Sequence, residues 1–183
     1  MTSTFEALLL AQLTYLQQST PVKIGSTVLT ASQPSIPLAV PAGFSHIEGI
    51  YTARKDVGGT GAFTWMQFNS DTSAHYQWEN LVGSATGNSG ASLVTFMQMG
   101  LCAGASDTAN YFGSGRFSIG NVSSTTAAKQ LAANSTLTCS TTTYYTATHG
   151  GTWNQTAAIN QVTLLPDAGN LVAGSSLELY GWV

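Results

Sequence analysis

The sequence predicts an all-β protein, an antiparallel sandwich with one short helix and a proline-rich arm at its N-terminus. Three observations lead to that class. From His46 onward short β-like runs recur, at residues 47–54, 62–68, 75–78, 93–101, 116–122, 137–145, 157–165 and 177–182. Clusters of Gly, Ser, Asn and Asp separate them, as at 57–61, 83–90 and 113–115. After the first helix no second helical period stands out, residues 125–133 coming nearest. With no helices to carry parallel crossovers the strands must return antiparallel, and a sandwich buries their apolar faces.

The helix opens the chain. Ser3-Thr4-Phe5-Glu6 has the form of a capping box, in which the Ser3 hydroxyl and the Glu6 carboxylate each satisfy an orphan backbone N–H. Phe5, Leu8, Leu9, Leu13 and Leu16 share one face and Pro21 forbids continuation, which predicts a helix over residues 4–18. Its apolar stripe either packs on its own domain or, as an arm, buries against a neighbouring subunit. Residues 20–43 carry β-like runs at 22–24, 28–31 and 36–40 between Pro21, Pro34, Pro37 and Pro41. Prolines belong on sheet edges, so the expected division is a helix and extended arm at 1–43 and the sandwich at 44–183.

Residues 63–78, F-T-W-M-Q-F-N-S-D-T-S-A-H-Y-Q-W, organise the rest. Phe63 to Phe68 are mostly apolar or aromatic on both alternating faces, which suits a central strand covered on two sides. Asn69, Ser70, Asp71 and Thr72 bond nearby backbone and favour a tight polar corner. Tyr76 and Trp78 then resume the alternation. Arg54 and Asp71, at ends of neighbouring expected strands, are expected to pair. Among sandwiches a jelly roll fits a count of about eight strands, and no long-period repeat points to a propeller or solenoid.

Composition narrows the function. A chain of 183 residues is one domain, long enough to bury roughly 70% of its unfolded surface. Charged residues are only 7%, against about 25% in an average globular protein, and Ser, Thr, Asn, Gln and Gly carry the polarity. Such a surface can lie against a neighbour without desolvating ions, which points to a subunit of an assembly. A net charge of −3 with five Lys and Arg in all leaves no basic patch for a run of phosphates, so nucleic acid is not an expected partner. Leu8 to Leu10 lack a basic flank and fall far short of the roughly 20 apolar residues that span a bilayer; synthesis in the cytosol and no membrane partner are expected. Cys102 and Cys139 are read as free buried thiols, outside any C-x-x-C spacing.

Three groups of residues carry a resemblance. Tyr51-Thr52-Ala53-Arg54, then Gln67-Phe68-Asn69-Ser70-Asp71 with Tyr76 five residues on, and finally Gly169-Asn170-Leu171-Val172-Ala173-Gly174-Ser175 leading into Leu179-Tyr180-Gly181, resemble small jelly-roll virion proteins of tailed bacteriophages. The resemblance covers about Phe44 to the C-terminus; that family usually has Gly where this chain has Ser70, and Ala157-Ala158-Ile159 looks like its penultimate strand. It implies a protein that decorates or cements a capsid, or sits in a tail or fibre, and it implies a trimer. Its motifs fix a fold corner and supply no reactive group.

The reactive candidates are thin. His46, His75 and His149 have no second ligand at metal spacing. Asn69, Asp71 and Asp56 lack a calcium-loop spacing, and Glu48, Glu79, Asp71, Asp107 and Glu178 offer no carboxylate pair that stands out for glycoside hydrolysis. Gly113-Ser114-Gly115 reads as a flexible loop, and Gly58-Gly59-Thr60-Gly61 lacks a phosphate-loop lysine. Neither cofactor nor metal is expected, nor is catalysis. The leading expectation is a capsid decoration or cement protein on the virion surface, made in the host cytoplasm, with the major capsid protein and copies of itself as partners in a homotrimer. In it Phe5, Leu8, Leu9, Leu13 and Leu16 contact a neighbouring subunit and Arg54, Asn69, Asp71 and Tyr76 build the structural corner. The alternative is a receptor-binding or fibre module, where Trp153, in the polar loop 149–154, with Tyr144 and Tyr145 would face a host glycan.

Overall fold

The computed structural model describes Glu6, residues 20–83 and residues 88–183. The expected helix face of Phe5, Leu8, Leu9, Leu13 and Leu16 lies outside the described residues. Within them are β1 (Val22–Val28), β2 (Ile36–Ala39), β3 (His46–Ala53), β4 (Ala62–Phe68), β5 (Tyr76–Gly83), β6 (Asn88–Val94), β7 (Met97–Cys102), β8 (Gly113–Gly120), β9 (Lys129–Thr138), β10 (Tyr144–Trp153), β11 (Gln161–Pro166) and β12 (Ser176–Trp182). They form two antiparallel sheets. The larger has the order β1-β12-β3-β8-β9-β10-β5-β6 and the smaller β2-β11-β4-β7.

Side-chain alternation explains the sandwich. On β9, Lys129, Leu131, Ala133, Ser135 and Leu137 are buried while every intervening residue is exposed. On β4, Ala62, Thr64, Met66 and Phe68 turn inward. The inner faces meet in a main core holding Ile47, Tyr51, Met66, Phe68, Met97, Phe117, Ile119, Val162, Leu164 and Leu179, each large apolar side chain stabilising by about 1.5–3 kcal/mol relative to exposure. Two glycines let rings lie on the backbone: a Cβ at Gly49 would meet Phe117 Cζ at 2.1 Å, and one at Gly115 would meet the Tyr51 ring at 2.4 Å.

Several expectations change for physical reasons. Residues 20–43, expected as an arm outside the sandwich, supply β1 and β2, which pair with β12 and β11 inside the two sheets. Pro37 is tolerated because β2 is an edge strand. The run 93–101 breaks at Thr95-Phe96, sending β6 and β7 to different sheets, and 137–145 spans the turn between β9 and β10. Residues 129–133, the end of the nearest helical candidate, are strand. Their small alanines had blurred a period-two pattern. Gly113-Ser114-Gly115 opens β8, where Gly115 makes room for Tyr51.

Two lysines are interior. Lys129 is fully buried, and its ammonium donates to the carbonyl oxygens of Ser124, Ala127 and Thr156 at 2.7, 2.8 and 3.1 Å. Three donors meet three acceptors, so the charge is solvated by backbone, although burial still lowers the pKa. Lys55 pairs with Asp167 at 2.5 Å.

Candidate functional site

The polar corner forms between β4 and β5. Asn69 and Ser70 adopt left-handed φ values of 54° and 56°, turning the chain sharply. Asn69 staples this turn to the start of β11: its Nδ2 donates to Ala158 O at 2.8 Å and its Oδ1 accepts from the N–H of Asn160 and Gln161. Asp71 Oδ2 accepts from Trp153 Nε1 at 2.7 Å and from His75 Nδ1 at 2.8 Å, and Oδ1 from Ser73 N at 2.9 Å. Burial alone would raise the Asp71 pKa, but those three donors outweigh it and hold the carboxyl down at about 2. Tyr76 Oη accepts from Phe68 N and donates to Asp71 O. Asn69, Asp71 and Tyr76 therefore come together, joined by His75 and Trp153.

Arg54 stands elsewhere. It bridges to Ala103 beside the start of β4, where Cys102 pairs with Ala62, so the length of β4 separates it from Asp71. The expected Arg54–Asp71 pair is replaced by a carbonyl cage, Arg54 donating to the backbone oxygens of Ala105, Asp107, Thr108 and Tyr111. That cage pins the segment between β7 and β8.

Trp153, expected in an exposed loop, is buried. The stretch 149–153 is strand, with Trp153 opposite Tyr76 and its indole against Phe68 and Tyr76 at ring-centroid distances of 5.6 and 6.4 Å. It cannot stack on a glycan. Tyr144 is 68% exposed, while Tyr145 is half-buried against a second small core that contains Leu101, Leu137 and Cys139.

The remaining candidates are dispersed. Glu48 pairs with Arg116, Glu178 with Lys23, and Asp107 Oδ2 accepts from Gly104 N. Asp56 accepts from Asn170 N and Nδ2, closing the turn before β12. His46 meets Ser118 and the Trp182 ring, and His149 lies inside the sandwich. Cys102 and Cys139 are free and buried; burial, helped by Asp107, pushes the Cys139 thiol up to about 11, so it is not a ready nucleophile. Among the described residues no group of three His, Cys, Asp or Glu side chains is placed to hold a metal ion.

What the fold does assemble is a face. The outward residues of β9 are Gln130, Ala132, Asn134, Thr136 and Thr138, and those of β10 are Tyr144, Thr146, Thr148, Gly150 and Thr152. None is charged. Cross-strand bonds order them: Thr148 Oγ1 donates to Asn134 Oδ1 and Thr152 Oγ1 to Gln130 Oε1, both at 3.0 Å, and Ser114 meets Thr136 at 3.4 Å. Exposed Ile50 on β3 and Leu81 on β5 flank this strip. Three shallow depressions of about 400, 400 and 320 Å³ open along it, two of them sharing Asn134. Charge adjoins it on both sides: Arg116 of β8, paired with Glu48, stands between Asn134 and Ile50, Glu79 of β5 lies opposite Gly150, and the Lys23–Glu178 pair is farther out. These side chains can offer hydroxyls, amides and two aliphatic anchors to a partner. The alternation that marks them, N-S-T-L-T answered by Y-T-A-T, was present in the sequence but had no partner strand to give it a face. No protein-family model matches the chain, and comparison with curated proteins finds no match.

Proposed function

We propose that this chain is a structural virion subunit, a decoration or cement protein of jelly-roll type that docks through the uncharged outer face of β9 and β10. That face carries the reading. A surface of Thr, Asn and Gln with Leu81 beside it, opposite Thr148, can be covered without stripping water from ions, the costly part of burying a polar surface. The jelly-roll assignment is supported by the path of the chain. Leaving aside the β5–β6 hairpin and the β9–β10 hairpin, strands alternate between sheets except at β4 and β7, which are neighbours in the smaller one, and their pairing is nested, β1 and β3 with β12, β2 and β4 with β11, β3 with β8, β4 with β7.

The partners are the major capsid protein and further copies of the chain in a homotrimer, at the capsid surface of a virion assembled in the host cytoplasm. The apolar residues Phe5, Leu8, Leu9, Leu13 and Leu16 add a second grip on a neighbour. The role is energetic: area buried across capsid junctions opposes the pressure of packaged DNA. The test is capsid binding by the wild type and by Asn134→Lys and Thr148→Lys. A lysine buried there without a partner should weaken binding by about tenfold or more, while lattice occupancy equal to wild type would sink the reading. A glycan-binding fibre module is the second reading, favoured by exposed Tyr144; sugar binding abolished by Tyr144→Ala, with no capsid association, would select it.

A further inference from the structure

A line of buried polar groups crosses the sandwich, and its polarity is fixed at one end. Tyr51 Oη donates to Leu101 O at 3.0 Å, and a carbonyl can only accept. The phenol oxygen keeps its lone pairs for a donor, and the hydroxyls of Thr64 and Ser135 are the side-chain groups beside it. Ser135 Oγ lies 3.3 Å from His149 Nε2, and with the Ser135 proton turned to the phenol this oxygen is the acceptor for an Nε2–H. The imidazole is neutral in this fully buried position, so a proton on Nε2 leaves Nδ1 as a bare acceptor.

His149 Nδ1 is met by no protein group, and neither is Asn80 Nδ2. Both side chains are nine-tenths buried or more, 1% and 3% exposed. They are direct cross-strand partners of β10 and β5 on the inner face, where side chains start about 5 Å apart. Asn80 Oδ1 accepts from Ser89 Oγ at 2.9 Å, which holds the amide with its donor free. Around the imidazole the neighbours Ala133 and Ala147 are small. An unmet donor therefore faces an unmet acceptor, too far apart to bond directly.

We propose that a single ordered water is bound between Asn80 and His149, accepting from Asn80 Nδ2 and donating to His149 Nδ1. Bridging two buried polar groups is the usual task of interior water. Trp78 Nε1, two residues before Asn80 on the same face of β5, is likewise met by no protein group. The completed chain runs Asn80, water, His149, Ser135, Tyr51, Leu101. It ties β5, β10, β9 and β3 of the large sheet to β7 of the small one.

Solution NMR tests this on the intact protein. Long-range proton–nitrogen correlation at pH 7 should show His149 protonated on Nε2 only, and the Asn80 side-chain amide should give a cross-peak to a long-lived water. In Asn80→Leu the water contact should vanish and the Nδ1 resonance should move, because its hydrogen bond is lost. An Nδ1-protonated tautomer, an Asn80 amide without a water cross-peak, or an Nδ1 resonance unchanged in Asn80→Leu would each overturn the proposal.

Discussion

Strand β10 carries two polar sites on its inner face, four residues apart, and they solve burial in opposite ways. At its end, Trp153 reaches an ionised carboxylate at the rim, where Asp71 is 15% exposed and three protein donors converge on it. In mid-strand, His149 is inside the sandwich, neutral, and held by one hydroxyl. A charge is kept where water and several N–H groups share its solvation; deeper in, the side chain gives up its charge instead. The rim site should therefore resist acid further down the pH scale than the interior one.

The largest effect is expected from breaking the rim site. Asp71→Ala strands Trp153 Nε1, His75 Nδ1 and Ser73 N without an acceptor, the first of them buried. The loss should be about 3–4 kcal/mol in urea denaturation; a change under about 1 kcal/mol would show that the corner is not held by its carboxylate.

Acid titration separates the two sites. Burial pushes the His149 pKa down to about 4, below its ordinary 6.5. Between those values the unfolded chain takes up a proton that the folded one refuses, so stability is full above pH 6.5, falls as pH drops toward 4 and levels off there, by about 3 kcal/mol in all. Asp71, held at about 2 against 3.8, adds stability that is present above about pH 4 and is lost as pH falls to 2, about 1 kcal/mol more once solvent screening at the rim is allowed for. His149→Leu should abolish the upper fall and leave the lower one. A slope between pH 6.5 and 4 that survives in that variant would assign it to another group.

The same contrast shows which parts of the molecule could be read from its sequence. The near half of the rim site is local: Asn69, Asp71 and Tyr76 fall within eight residues, and turn chemistry next to a strand announces them. Its far half, Trp153, arrives from 82 residues away. Nothing local distinguishes an indole that caps a carboxylate from one in a polar loop, and the two glycines before it look like a turn. In the fold Gly150 is simply an outward strand position and Gly151 packs on Met97. Arg54 was legible as a corner residue, but its partners are carbonyl groups, which every residue has. The strand class, β4 and β12 were readable as short apolar runs set between turn clusters; β9 was not, because alanine at 132 and 133 suits either period. The uncharged outer face and the proposed interior chain both depend on register between β9 and β10, which no single strand encodes.

A milder change sharpens the rim site without emptying it. Trp153→Phe keeps an aromatic ring against Phe68 and Tyr76 and removes only the N–H to Asp71. The expected loss is about 1–2 kcal/mol, with the Asp71 pKa rising toward 3.8 because one of its donors is gone. A carboxyl that still titrates at about 2 in this variant, followed by NMR, would place the burden on His75 and Ser73 alone.

The smallest effect has the opposite sign. Ser70 adopts φ 56°, a conformation that strains a residue bearing a Cβ and suits glycine. Its hydroxyl donates to Gln161 Oε1 at 2.7 Å, but that bond is exposed and offsets little. Ser70→Gly relieves the strain in the folded state while freeing the unfolded chain, so the two terms oppose each other and the net gain should be only about 0.5 kcal/mol. A stabilised Ser70→Gly beside a crippled Asp71→Ala would separate the two jobs of the corner, turning the chain and anchoring β10. A destabilised Ser70→Gly would mean that the Gln161 bond, rather than the turn, sets the geometry there.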